Sequence, residues 1–142
     1  RPEARPEAAA ATPPPATPAP TPVTLRVMDD VFKLEEGSHY AVQFTVPHES
    51  APARVSGGFR VTSGGYVDFY LMSREQYDRF AVGGEADVTS VVYREEQWNA
   101  RVGERLPAGD YYLVFDNYDS EAGEQTVAAE FVLVFDQSGP AR

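Results

Sequence analysis

The sequence predicts an all-β fold, an antiparallel, jelly-roll-like β-sandwich of about seven or eight strands with one short helix. Three observations predict it. Apolar residues alternate with polar ones along most of the chain past Val23. Such a period of two places one face of each strand in a core and the other nearer water. Turn-forming clusters recur about every ten residues, the spacing of short strands in a sandwich. Helical periodicity is confined to one segment.

The chain opens with a stretch of a different kind. Residues 1–22 hold eight of the twelve prolines and seven alanines, and no aromatic or aliphatic β-branched residue. Too little apolar surface is available there to offset about 1–2 kcal/mol of ordering entropy per residue. Pro13-Pro14-Pro15 favours polyproline II geometry. Residues 1–22 are therefore expected to be a disordered Pro/Ala-rich linker, residues 23–136 the folded domain and 137–142 a flexible C-terminus. A spacer of this kind suits a tether, whether to a lipid anchor, a membrane segment or another domain. It also suits a plain disordered terminus.

The strands follow in order. Tyr40, Val42, Phe44 and Val46 alternate with His39, Ala41, Gln43 and Thr45. Val55, Gly57, Phe59 and Val61 form a second run, and Val67, Phe69 and Leu71 a third. Gly64-Gly65 between them fits a tight hairpin turn, because glycine supplies positive φ without steric cost. Ser56, ahead of Gly57-Gly58, fits a β-bulge. Tyr111, Leu113 and Phe115 share a face, and Val127 to Phe135 is the longest alternating run. Ser73-Arg74-Glu75-Gln76 is a capping box that opens the helix, turns Tyr77 and Phe80 toward the sheet, and leaves Gly83-Gly84 to end it. The other turns fall at Asp29-Asp30, Glu35-Glu36-Gly37, Pro47 to Pro52 and Pro107 to Asp110.

Composition narrows the function. The 142 residues carry a net charge of −10, which disfavours a nucleic-acid partner because phosphate binding draws on Lys and Arg. No cysteine is present, which removes disulfides and thiolate chemistry. No stretch of about 18 apolar residues occurs, so the chain holds no transmembrane helix. His39 and His48 are the only histidines. No nucleophile elbow, zinc-protease motif or phosphate loop accompanies them, and no catalytic residue is assigned.

Two groups of residues remain as candidate sites. Asp116, Asn117, Asp119 and Glu121 crowd one segment with hard oxygen donors of the kind calcium takes. The same residues suit a solvated turn in which Asp and Asn cap their own backbone. Apart from that calcium ion, no cofactor is expected. Tyr66, Tyr70 and Tyr112, with Met72 and Val114, lie opposite the apolar face of their strands. They form either a layer covered by the helix or an exposed patch that binds a partner. Trp98 is the single tryptophan.

The segment Leu106-Pro107-Ala108-Gly109-Asp110-Tyr111-Tyr112-Leu113-Val114-Phe115-Asp116-Asn117 resembles the GOLD domain, the β-sandwich of cargo-receptor and lipid-transfer proteins. That family shows Leu-Pro-x-Gly-x-Tyr and then an apolar strand ending in Asp-Asn. Val55 to Phe59, Gly64-Gly65 and Asp68 to Leu71 resemble the hairpin that precedes its short helix. The sequence departs from the cargo receptors in lacking a cysteine pair and a following coiled-coil helix. The resemblance implies a stand-alone, bacterial-type module outside the cytoplasm, secreted, periplasmic or surface-tethered. The expected function is a non-catalytic binding module on a Pro-rich tether, with a protein or other extracytoplasmic ligand as partner. Because pre-peptidase C-terminal domains carry a similar Leu-Pro-Ala-Gly-x-Tyr turn, the competing reading is an accessory domain that stabilises or targets a neighbouring secreted enzyme.

Overall fold

The computed structural model of the protein describes residues 21–48, 53–82, 90–117 and 123–137. The expected linker up to residue 20, Gly83-Gly84, Asp119, Glu121 and the residues after 137 lie outside the described residues. The element order is β1 (Thr21–Leu34), β2 (His39–Val46), β3 (Ala53–Ser63), β4 (Val67–Ser73), α1 (Arg74–Ala81), β5 (Val92–Gln97), β6 (Asn99–Leu106), β7 (Gly109–Asp116) and β8 (Gln125–Gln137). Thus β1 takes in Thr21 and Pro22, two residues expected in the linker, and β8 takes in Gln137.

The strands form two four-stranded sheets, β1-β8-β3-β6 (sheet A) and β2-β7-β4-β5 (sheet B). Every pairing is antiparallel. First pairs with eighth, second with seventh, third with sixth and fourth with fifth, so the chain is one long hairpin rolled into two layers. This is the predicted jelly-roll sandwich, and it corrects two local readings. β3 and β4 do not pair, so Gly64-Gly65 is a corner between the sheets rather than a hairpin turn. Gly64 has φ +114°, and a Cβ there would come within 2.8 Å of the Gln125 side chain, so glycine is required on both counts. Asp29-Asp30 is not a turn but the middle of β1, opposite Glu130 and Ala129. An edge strand tolerates such charges because one side is open to water.

The predicted bulge at Ser56 is also absent. Ser56 pairs in register with Gly103 and Val132, and the irregularity in β3 falls between Val61 and Ser63. Gly57 serves close approach instead, since a Cβ on it would lie 2.0 Å from the Glu130 carbonyl oxygen.

The alternating positions meet between the layers as predicted. Phe69, Phe115 and Phe131 are fully buried. Phe69 and Phe131 stack with centroids 5.6 Å apart, and Phe59 packs 5.4 Å from both Phe69 and Phe115. Leu71, Leu113, Val55, Val127 and Leu133 complete this core.

The Leu106–Asn117 motif has a structural meaning. Tyr111 swings back at the corner and donates its hydroxyl to the Pro107 carbonyl at 2.8 Å. Its ring lies 3.6 Å from where a Gly109 Cβ would sit. The Leu-Pro-x-Gly-x-Tyr pattern is thus a tyrosine-latched turn that starts β7.

Candidate functional site

The outer face of sheet B collects several of the residues singled out from sequence. Register places His39, Asp116 and Asp68 side by side across β2, β7 and β4. The next row holds Ala41, Val114, Tyr70 and Tyr93, and the row after it Gln43, Tyr112 and Met72. Helix α1 lies over these rows. Ser73 caps it, with its hydroxyl accepting from the Gln76 amide while the Gln76 side chain accepts from the Ser73 amide. Phe80, Met72 and Val114 make a second buried cluster, flanked by Ala41, Tyr70, Tyr77 and Tyr112. Tyr77 stacks on Tyr112 at 4.1 Å and Tyr70 on Tyr93 at 4.8 Å.

Tyr70 and Tyr112 belong to a layer that α1 covers. Tyr66 belongs to neither apolar cluster and stands at the end of the sandwich, so the three do not form one patch. Tyr93, 44% exposed, is the most open ring of this layer.

The electrostatics follow from burial. Tyr70 is held well above the usual phenol range by burial, reinforced by Tyr93, Asp68 and Asp116. Burial also raises Tyr77 and lowers the His39 imidazole. The His39 ring packs edge-on against Phe80 at 5.1 Å, and its Nε2 is hydrogen-bonded to the Tyr77 hydroxyl at 3.1 Å. His39 therefore helps to seat the helix. Asp68 has a local role too, as its carboxylate accepts from the backbone amide of Glu96, where β5 bulges with φ +55°.

Asp116 and Asn117 are parted by the end of β7. Asp116 faces outward between His39 and Asp68. Asn117 is 1% exposed and ties the end of β1 to the start of β8. Its amide donates to the carbonyls of Leu34 (3.0 Å) and Gly123 (2.9 Å), and its Oδ1 accepts from Gln125 (2.8 Å). Gln125, also fully buried, donates onward to the Tyr66 carbonyl. The Asn117 carboxamide is thus engaged as a staple. Among the described residues no three acidic or histidine side chains converge as a metal site would need.

The outer face of sheet A is the surface that sequence reasoning missed. No helix covers it. Its central floor is small: Ser56 and Gly58 on β3, Gly103 on β6 and Ala128 on β8. Arg54 pairs directly with Arg105, Gly58 with Arg101 and Arg60 with Asn99. The glycines make room for two arginine side chains. The Arg54 guanidinium lies 2.7 Å from where a Gly103 Cβ would be, and the Arg101 chain lies 3.3 Å from a Cβ on Gly58. The ion pairs among the described residues are Arg26–Asp29, Arg74–Asp110 and Arg79–Glu75. Arg54, Arg60, Arg101 and Arg105 take part in none of them. A groove of about 490 Å³ crosses this face, with Asp29 and Glu130 on its β1–β8 half and Arg60 and Arg101 on its β3–β6 half. The signal was present in the sequence as arginines at even spacing opposite Val55 and Phe59. What could not be read was that β3 lies beside β6.

No protein-family model and no curated protein matches the sequence. Among solved structures, the chain is similar to one reported under the description of Bacillus endospore appendages as disulfide-linked pili. That match has 14% identity and TM-score 0.50, covering 91% of this chain and 100% of that one. Similarity extends to the pre-peptidase C-terminal domain of a Bacillus anthracis collagenase, with 15% identity, TM-score 0.43 and coverage of 78% and 88%. A third match is a periplasmic inhibitor of g-type lysozyme from Aeromonas hydrophila, with 11% identity, TM-score 0.42 and coverage of 83% and 88%. The chain therefore shares its fold with the first of these over 91% of its own length.

Proposed function

We propose that this protein is a non-catalytic binding module whose recognition surface is the uncovered outer face of sheet A. One observation carries the reading. In a chain of net charge −10, four arginines gather on two neighbouring strands, outside the ion pairs among the described residues, and two of them, Arg60 and Arg101, line an open groove. Uncompensated charge of one sign costs stability through repulsion, and Arg54 and Arg105 stand directly opposite each other. A surface kept that way is suited to a partner of the other sign. The non-catalytic reading is supported by His39, whose ring is committed to Tyr77 and Phe80. The placement outside the cytoplasm, on a Pro/Ala-rich tether, rests on the GOLD-like segment Leu106–Asn117 and the composition of residues 1–22.

Site-specific photocrosslinking tests the surface. A benzophenone side chain is placed at Asn99 on sheet A, at Asp78 on α1 or at Tyr66, in cells of the source organism. Adducts are expected from the Asn99 position and not from the other two. Adducts confined to Asp78 or Tyr66 would assign recognition to the tyrosine-rich side instead.

A further inference from the structure

We infer that the β3–β6 half of the outer face of sheet A takes an extended peptide of mixed charge, with acidic side chains at alternate positions lying along β3 and β6 and one end over the groove that Arg60 and Arg101 line. The inference rests on the reading of that face as the recognition surface and adds the chemistry and the spacing of its ligand.

The spacing comes from the register. Successive outward positions on a strand are about 6.6–6.8 Å apart. The outward pairs of β3 and β6 run Arg54/Arg105, Ser56/Gly103, Gly58/Arg101 and Arg60/Asn99. Arg54 reaches forward over Gly103, which moves its charge to the second level. Arg101 lies across Gly58 at the third level, and Arg60 starts from the fourth. The result is a row of arginines, with Arg54 at the second level and Arg101 at the third, flanked by Arg105 and Arg60 rooted at the first and fourth. An extended peptide has the same two-residue repeat, so carboxylates on alternate residues meet the row without strain. Guanidinium–carboxylate pairs are the strong, often bidentate form of this contact.

The rest of the face selects a peptide over other anions. The β1–β8 half of the groove carries Asp29, Asp30 and Glu130. These repel a polymer of one sign, whether a polyuronate or a nucleic acid, but suit a peptide that turns a lysine or arginine toward β1. Single-stranded nucleic acid also calls for aromatic stacking platforms. The outward positions paired across β8, β3 and β6 are occupied by aliphatic, small, polar and charged residues. The small floor of Ser56, Gly58, Gly103 and Ala128 lets a backbone lie close to the sheet. Edge protection does not account for the row either. Charges on an edge strand deter edge pairing, and this covers Arg101 and Arg105 on β6. It does not cover Arg54 and Arg60, because β3 is an inner strand between β8 and β6.

Fluorescence anisotropy on the full chain tests the inference. The probe is a labelled dodecapeptide with glutamate at alternate positions, threonine and valine between, and one lysine near the middle. It is compared with a peptide of the same composition whose glutamates are clustered, with polygalacturonate and with a thymidine oligonucleotide. The alternating peptide is expected to bind at least tenfold more tightly than the other three, with affinity falling as salt rises. Arg54→Ser combined with Arg101→Ser should reduce its affinity at least tenfold with unchanged far-ultraviolet circular dichroism. Equal binding of all four probes, or no effect of the double substitution, would overturn the inference. Salt-sensitive self-association abolished by the same substitutions would also overturn it, by giving that face to a second copy. Crosslinks from Asn99 without binding of the alternating peptide would sink the peptide chemistry and leave the recognition surface standing. Absence of both would remove both.

Discussion

The two sheets are alike on the inside and opposite on the outside. Both send alternate apolar side chains into one core, where Phe69 and Phe115 of sheet B meet Phe59 and Phe131 of sheet A. On the outer face of sheet B the alternate positions are Tyr70, Met72, Tyr112 and Val114, and the chain places α1 over them. On the outer face of sheet A the corresponding positions of β3 and β6 are Arg54, Ser56, Gly58, Arg60, Arg101 and Gly103, beside Val132 and Val134 of β8, and among the described residues no element covers them. The difference teaches that a sandwich strand can carry two kinds of outward message. Where aromatic and bulky residues fill the outward positions of both central strands, a helix covers them and they become a second core. Small and basic outward residues need no lid and leave a surface for a partner.

The largest expected effect breaks the covered side. Phe80→Ala should remove the anchor of α1 and cost about 3–5 kcal/mol, as large-to-small changes at buried aromatic positions do. Guanidinium chloride unfolding measures it, and a loss below about 1 kcal/mol would show that the helix is not a lid. A smaller effect of opposite sign is expected on the open side. Arg105→Thr relieves the repulsion with Arg54 and should stabilise the fold by about 0.5 kcal/mol, the scale of a cross-strand pair. The same substitution should weaken the alternating peptide, so stability and binding move in opposite directions. A destabilised variant would mean that the arginines pack for the fold rather than for a ligand.

The smallest effect is the pH response of the covered side. Burial lowers His39 from its ordinary value of 6.5, so below that pH the unfolded chain binds the proton first. Its contribution to stability is complete above pH 6.5 and declines as pH falls toward the lowered value. Unfolding curves at pH 7.5 and at pH 5 should differ less for His39→Gln than for the parent chain. Identical differences would show that the ring is as free in the fold as outside it.

Some of this was legible in the residues themselves. Period-two runs, the Ser73–Gln76 capping box and the Pro107–Tyr111 corner are local, and each appears where the sequence places it. The apolar character of both faces of β4 and β7 was legible too, since Tyr70, Met72, Tyr112 and Val114 alternate with Phe69, Leu71, Tyr111 and Leu113. Other features depend on partners far along the chain. Gly64-Gly65 looks the same whether it joins two paired strands or carries the chain between sheets. Asp29-Asp30 reads as a turn until β8 is laid beside it.

The sequence alone therefore determined the alternating runs of β2, β3, β4, β7 and β8, the helix and the residues of those elements that face the core, because these follow from backbone geometry over a few residues. Tertiary structure alone decided what lies next to what. Asn117 became a buried staple because the end of β1, at Leu34, and the entry to β8, at Gly123 and Gln125, converge on it. The arginine row exists because β3 and β6, some forty residues apart, are neighbours in register. Adjacency of that kind is a property of the rolled-up chain, and no period in the sequence encodes it.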